Sequence, residues 1–116
     1  MPFQNIETST LTYPSFSTTK NVDYNLGALA STNPAYGVSV QANYVFLTAT
    51  TLDIKLQASN DGVAFADIPT TTVTVTATGM TIWDCGNPNY KILRVVFSGM
   101  DGTLTASLVL NAVNLS

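Results

Sequence analysis

The chain has 116 residues, enough for one domain with a core of its own. Hydrophobic residues make up 46% but charged residues only 9%, against an ordinary share of about 25%, which excludes intrinsic disorder. Four Lys and Arg against seven Asp and Glu leave a net charge of -3, with no basic footprint for a nucleic-acid backbone and no polybasic patch for an anionic membrane.

Residues 1–20 are rich in Ser and Thr, with Phe3, Ile6, Leu11, Tyr13 and Phe16 at neither helical nor strand period. They read as an extended N-terminal arm, and residues 21–116 as the folded domain. Met1-Pro2-Phe3-Gln4-Asn5 has neither a basic nor an apolar region and does not read as a signal peptide. Five exposed apolar side chains would make a sticky tail, so the arm is expected to pack on a neighbouring chain, by strand addition or across an outer face. The competing reading makes it an edge strand of its own sheet.

Asp23–Leu29 and Val38–Gln41 read as short strands, with a turn at Ser31-Thr32-Asn33-Pro34. Val45–Thr48 is either a strand or part of a loop. From Leu52 the pattern is clean: Leu52, Ile54, Leu56 and Ala58 alternate with Asp53, Lys55 and Gln57, the period of a half-buried strand. Asn60-Asp61-Gly62 predicts a hairpin turn, with a return strand from Val63 to Ile68 ended by Pro69. Thr71–Thr76 reads as a strand, Gly79 and Met80 as a break before Thr81-Ile82-Trp83, and residues 84–89 as a turn. Tyr90–Phe97 and Thr103–Val113 read as strands that put Leu93, Val95, Phe97, Leu104, Leu108 and Leu110 inward. Amphipathic helices are missing from the pattern. Short strands with frequent turn signals predict an all-β fold: a single antiparallel β-sandwich, jelly-roll or immunoglobulin-like, or a small barrel.

The segment Leu56-Gln57-Ala58-Ser59-Asn60-Asp61-Gly62-Val63-Ala64-Phe65-Ala66-Asp67-Ile68 and the later Tyr90-Lys91-Ile92-Leu93-Arg94-Val95, followed by Gly102-Thr103-Leu104, resemble small β-sandwich virion proteins of tailed bacteriophages. The same hairpin-then-core-strand grammar is similar to discoidin-like carbohydrate-binding modules, although those are longer and usually carry a disulfide. The phage resemblance implies a non-enzymatic structural subunit: a capsid decoration, head-fibre or tail protein made in the bacterial cytoplasm and residing in the virion. Its partners would be further copies of itself, as a trimer or another homo-oligomer, and the major capsid or other virion proteins. The other resemblance implies a sugar-binding module at a virion or cell surface.

Candidate chemistry is sparse. There is no histidine, which removes the commonest general base and metal ligand, and Cys85 has no second cysteine to pair with. Asp53, Asp61, Asp67, Asp84 and Asp101 read as turn and surface carboxylates rather than an acid–base pair. Asp84, Asn87 and Asn89 are a possible but unpatterned set of calcium ligands. No cofactor or metal is expected, and no catalytic residue. Trp83, Tyr90 and Tyr44 are the candidates for a sugar-stacking platform, against the plainer reading of core packing. The candidate interface residues are those of the arm, together with Tyr90, Ile92, Arg94 and Val96 on the outer side of one strand and Val109 and Val113 on another. That outer side is partly apolar with a lone Arg, the composition of a buried subunit contact.

Overall fold

Leu52, Ile54 and Leu56 are fully buried while Asp53, Lys55 and Gln57 between them are half-exposed, so the strand lies with one face on a core and one toward water. The described residues form nine strands: β1 (Gln4–Phe16), β2 (Lys20–Asn25), β3 (Tyr36–Phe46), β4 (Leu52–Ser59), β5 (Ala66–Asp67), β6 (Val73–Val75), β7 (Gly79–Gly86), β8 (Ile92–Ser98) and β9 (Leu104–Asn114). The structure is a computed structural model. It describes residues 4–26, 36–86 and 90–114, with 4–10, 36, 113 and 114 followed as backbone.

The strands form two sheets, β1-β9-β3-β7 and β2-β8-β4-β5, with β6 also paired to β4. Every pairing is antiparallel. The pairs β1·β9, β2·β8, β3·β7 and β4·β5/β6 are nested, as in a ribbon folded at its middle. The ribbon then rolls so that β9 meets β3 and β8 meets β4. That is the jelly-roll solution to covering two apolar faces with one chain. The immunoglobulin order, which groups its strands differently, and a closed barrel do not describe it.

The inward residues of both sheets form one core. Leu52, Ile54 and Leu56, Leu93, Val95 and Phe97, and Leu104, Leu108 and Leu110 all belong to it, as the alternation predicts. Phe97 is the largest fully buried side chain, and Phe16 meets it edge-on at 5.7 Å. One end of the sandwich is stitched by polar groups. The Thr103 carbonyl accepts from the N–H groups of Leu47, Thr48 and Ala49, and the Asp101 carboxylate accepts from the Thr50 N–H at 2.6 Å. Gly102 sits so close to this loop that a Cβ would lie 2.7 Å from the Ala49 nitrogen.

The arm is not an arm. Residues 4–16 pair with β9 of their own chain and form one edge of the sheet, so the expectation of docking on a neighbour gives way to the competing one for this segment. The misleading spacing has a physical cause. The register slips between Asn5 and Glu7 and again between Tyr13 and Phe16. Each β-bulge adds a residue and breaks the period of two. Leu11, Tyr13 and Phe16 all pack against the core in spite of their uneven spacing.

Other boundaries moved. The return strand after Asn60-Asp61-Gly62 shrinks to Ala66–Asp67, and Val63 is 85% exposed. Asp61 Oδ1 accepts from the Val63 and Ala64 N–H groups, and Ser59 Oγ from those of Asp61 and Gly62. Donors held by the turn cannot join a ladder. Gly79 and Met80 do not break a strand but open β7, and β3 continues through Val45 to Phe46. Tyr90 precedes β8 rather than starting it. The expected Ser31–Pro34 turn lies outside the described residues.

Candidate functional site

The strand β8 turns Ile92, Arg94 and Val96 to the outer side of its sheet, as expected, and the chain itself occupies all three. Arg94 Nε donates to Asp23 Oδ1 at 2.7 Å and Nη2 to Oδ2 at 3.1 Å, a two-pronged bond across to β2. The Phe65 ring lies 3.5 Å from the guanidinium carbon and covers it. Val96, between its cross-strand neighbours Asn21 and Lys55, is buried although it lies outside the core. Ile92 is half-buried beside the Ser59–Gly62 turn, where its Cδ1 would lie 3.3 Å from a Cβ on Gly62. Gln57 and Lys55 both donate to the Asp67 carboxylate, and these bonds hold its pKa below the usual carboxylate range. This face is polar and internally satisfied.

The outer side of the β1-β9-β3-β7 sheet is different. Val109 lies opposite Gln41, which lies opposite Ile82; Ser107 lies opposite Asn43, which lies opposite Met80. The Gln41 amide donates to Asn43 Oδ1 at 2.9 Å, and the Asn43 amide to Ser107 Oγ at 3.3 Å. Val113 pairs with Gly37 and Asn5 at the end of the same sheet. On the two inner strands of this face every outward residue is uncharged, and on β7 only Asp84 carries charge. Val45, Leu47, Met80 and Ile82 are each about half exposed, and they are four of the five exposed large hydrophobic residues among those described. Three sit on this face in β3 and β7, and Leu47 follows β3 directly. The sequence reading missed Met80 and Ile82, because taking Gly79–Met80 as a break left the outward phase of β7 unassigned.

Of the remaining candidates, Phe3 lies outside the described residues and Ile6 falls at the first bulge of β1. Tyr90 does not share the face of Ile92 and Arg94. It lines a cavity of about 410 Å³ beside β7, with Trp83, Cys85, Ile68 and Thr71. Trp83 is a core anchor whose indole N–H donates to the Thr71 carbonyl at 2.9 Å. Tyr44 is buried too, with its hydroxyl 3.0 Å from Thr81 Oγ1. Trp83, Tyr90 and Tyr44 therefore do not present a common exposed platform. Burial pushes the Cys85 thiol up to about 11, the direction opposite to a nucleophile's. The aspartates serve the backbone and their neighbours: Asp53 accepts from Thr74, Asp61 and Asp101 hold turns, and Asp84 accepts from the Gly86 N–H. Asn87 and Asn89 lie outside the described residues. No cluster of three His, Cys, Asp or Glu side chains occurs among those described.

No protein-family model matches the chain, and no curated protein matches it in sequence. Its fold does have relatives among solved structures. The SPBc2 prophage-derived protein YomS superposes with a TM-score of 0.60 at 10% identity, over 90% of this chain and 93% of its own. A subunit of the Bacillus endospore appendages, described as disulfide-linked pili, gives 0.59 at 10% identity, over 97% and 87%. An archaeal-virus protein with a triple jelly-roll fold gives 0.45 at 14% identity, over 97% of this chain and 30% of its own. The chain is similar in fold to a prophage-derived protein over nearly the whole of both, in line with the resemblance to small phage β-sandwich proteins.

Proposed function

We propose that this protein is a non-enzymatic structural subunit of a bacteriophage virion, a capsid decoration or cement protein that binds the capsid, further copies of itself, or both. The observation that carries the reading is the outer side of the β1-β9-β3-β7 sheet. It is broad and nearly uncharged, ordered by amide–hydroxyl bonds and bordered by four exposed apolar side chains. Antiparallel sheets that face only water show it a polar, charged side, as the opposite sheet of this molecule does. Low charge lets copies pack at high density with little repulsion. The likeness in fold to a prophage-derived protein supports the same reading.

Mass spectrometry and electron microscopy of the source particle test it. The expected result is this chain in stoichiometric amount, as ordered density on the particle. Its absence from purified particles, together with sugar binding by the pure protein on a glycan array, would replace the reading with the carbohydrate-binding one.

A further inference from the structure

A jelly roll that does not close has four sheet edges, and each is either protected or available for pairing. Here β1 carries two bulges and Pro14. The β2 edge is six residues long and bears Lys20 and Asp23. The edge beyond β4 consists of two short pieces, β5 and β6, separated by Pro69 and a turn. These are the usual devices against strand addition.

β7 has none of them along most of its length. It runs in regular register with β3 from Gly79 to Asp84, without Pro and without charge before Asp84. Among the described residues the only strand it pairs with is β3. The cavity of about 410 Å³ lies along this edge, lined by Ile82, Trp83 and Asp84 on one side and by Ile68, Pro69 and Thr70 on the other. A cavity, rather than a paired strand, therefore separates the 68–71 segment from this part of the edge. Met80 and Ile82 stand half-exposed on its outer side.

We propose that the free edge of β7 joins two copies of this chain, strand to antiparallel strand about a two-fold axis, a contact that rests on the self-associating subunit proposed above. The sequence of the edge fits itself. With the axis at Thr81, Met80 of each copy faces Ile82 of the other, apolar against apolar. Trp83 then faces the Gly79 that has no side chain. Asp84 faces Thr78, so the two carboxylates never meet. The result is one continuous eight-stranded sheet whose nearly uncharged outer face is doubled.

Light scattering of the purified full chain over a wide range of concentration tests the proposal. The expected result is a monomer–dimer equilibrium that Ile82→Lys weakens at least about tenfold, because the change places a cation on the seam twice. Val63→Lys, at a still more exposed apolar residue outside this sheet, should leave the equilibrium unchanged. Both variants should melt as the unmodified monomer does. In a Cys85→Ala background, Thr81→Cys should form a covalent dimer on mild oxidation. A chain that is monomeric throughout, or a dimer that survives Met80→Lys with Ile82→Lys and gives no Thr81→Cys cross-link, overturns the inference. Either outcome leaves particle incorporation untouched, and absence from the particle leaves the dimer untouched.

Discussion

Arg94 and Asp23 face each other across the β2–β8 pairing and hold one another through two hydrogen bonds, with the Phe65 ring against the guanidinium. The pair is partly exposed, so its charge–charge part is worth little. The stacked ring and the covered guanidinium stem add packing. Arg94→Ala is expected to cost about 1 kcal/mol in chemical denaturation, and Asp23→Asn less. The Asp23→Asn effect should shrink in high salt while most of the Arg94→Ala effect remains. Equal salt sensitivity of the two would show that charge dominates.

Leu93 is fully buried between Tyr24 on β2 and Ala58 on β4. Leu93→Ala is expected to destabilise by about 2–5 kcal/mol, through lost contacts and the cavity left behind. An unchanged thermal melt would mean that the register of β8 is wrong.

The Tyr24 hydroxyl is buried without a hydrogen-bond partner among the described residues, and burial raises its pKa to about 12. An unpaired buried hydroxyl loses its water without compensation. Tyr24→Phe should therefore stabilise the fold by about 1 kcal/mol. A loss of stability would reveal a partner for the hydroxyl.

Cys85 and Tyr24 both hold their protons more tightly in the folded chain than outside it. Where the native state binds more protons, stability falls as pH rises. The contribution of Cys85 is fully present below its ordinary value of 9.0 and is lost as pH rises through about 11. Denaturation midpoints should drop between those two values, and Cys85→Ala should flatten the drop. A midpoint that rises over this window would reverse the assignment.

Thr70 holds a φ of 62°, a left-handed conformation that a β-branched residue adopts at a cost. Asn tolerates that conformation better. Thr70→Asn is expected to gain about 0.5–1 kcal/mol, read as a higher melting temperature. No gain would indicate that the Thr70 hydroxyl bond to the Pro69 carbonyl offsets the strain.

The core was legible because β4, β8 and β9 alternate without interruption and are covered on one side only. β1 was not legible, because two bulges shift the phase of its apolar residues within thirteen positions. The extent of the Val63–Ile68 strand was hidden by side chains: Ser59 and Asp61 take the N–H groups that a ladder would need. The outer face of β8 was expected to carry Tyr90, Ile92, Arg94 and Val96; the last three lie on it and Tyr90 does not, and the partners of the three were beyond local pattern. Asp23 lies 71 positions from Arg94, and only the nested topology brings them together. Met80 and Ile82 stayed unnoticed because a glycine at the start of a strand looks the same in sequence as a glycine that ends one.

The placement of β9 bears on how the chain comes off the ribosome. β9 is flanked on both sides, by β1 and by β3, so its sheet cannot assemble until almost the whole chain has emerged. Until then β1 has no partner, and β3 has only β7. Contacts between such distant parts of a chain form slowly and leave apolar strands uncovered meanwhile. Newly made copies therefore pass through a sticky, half-built state, and at high rates of synthesis the yield of folded subunit depends on how briefly they remain in it.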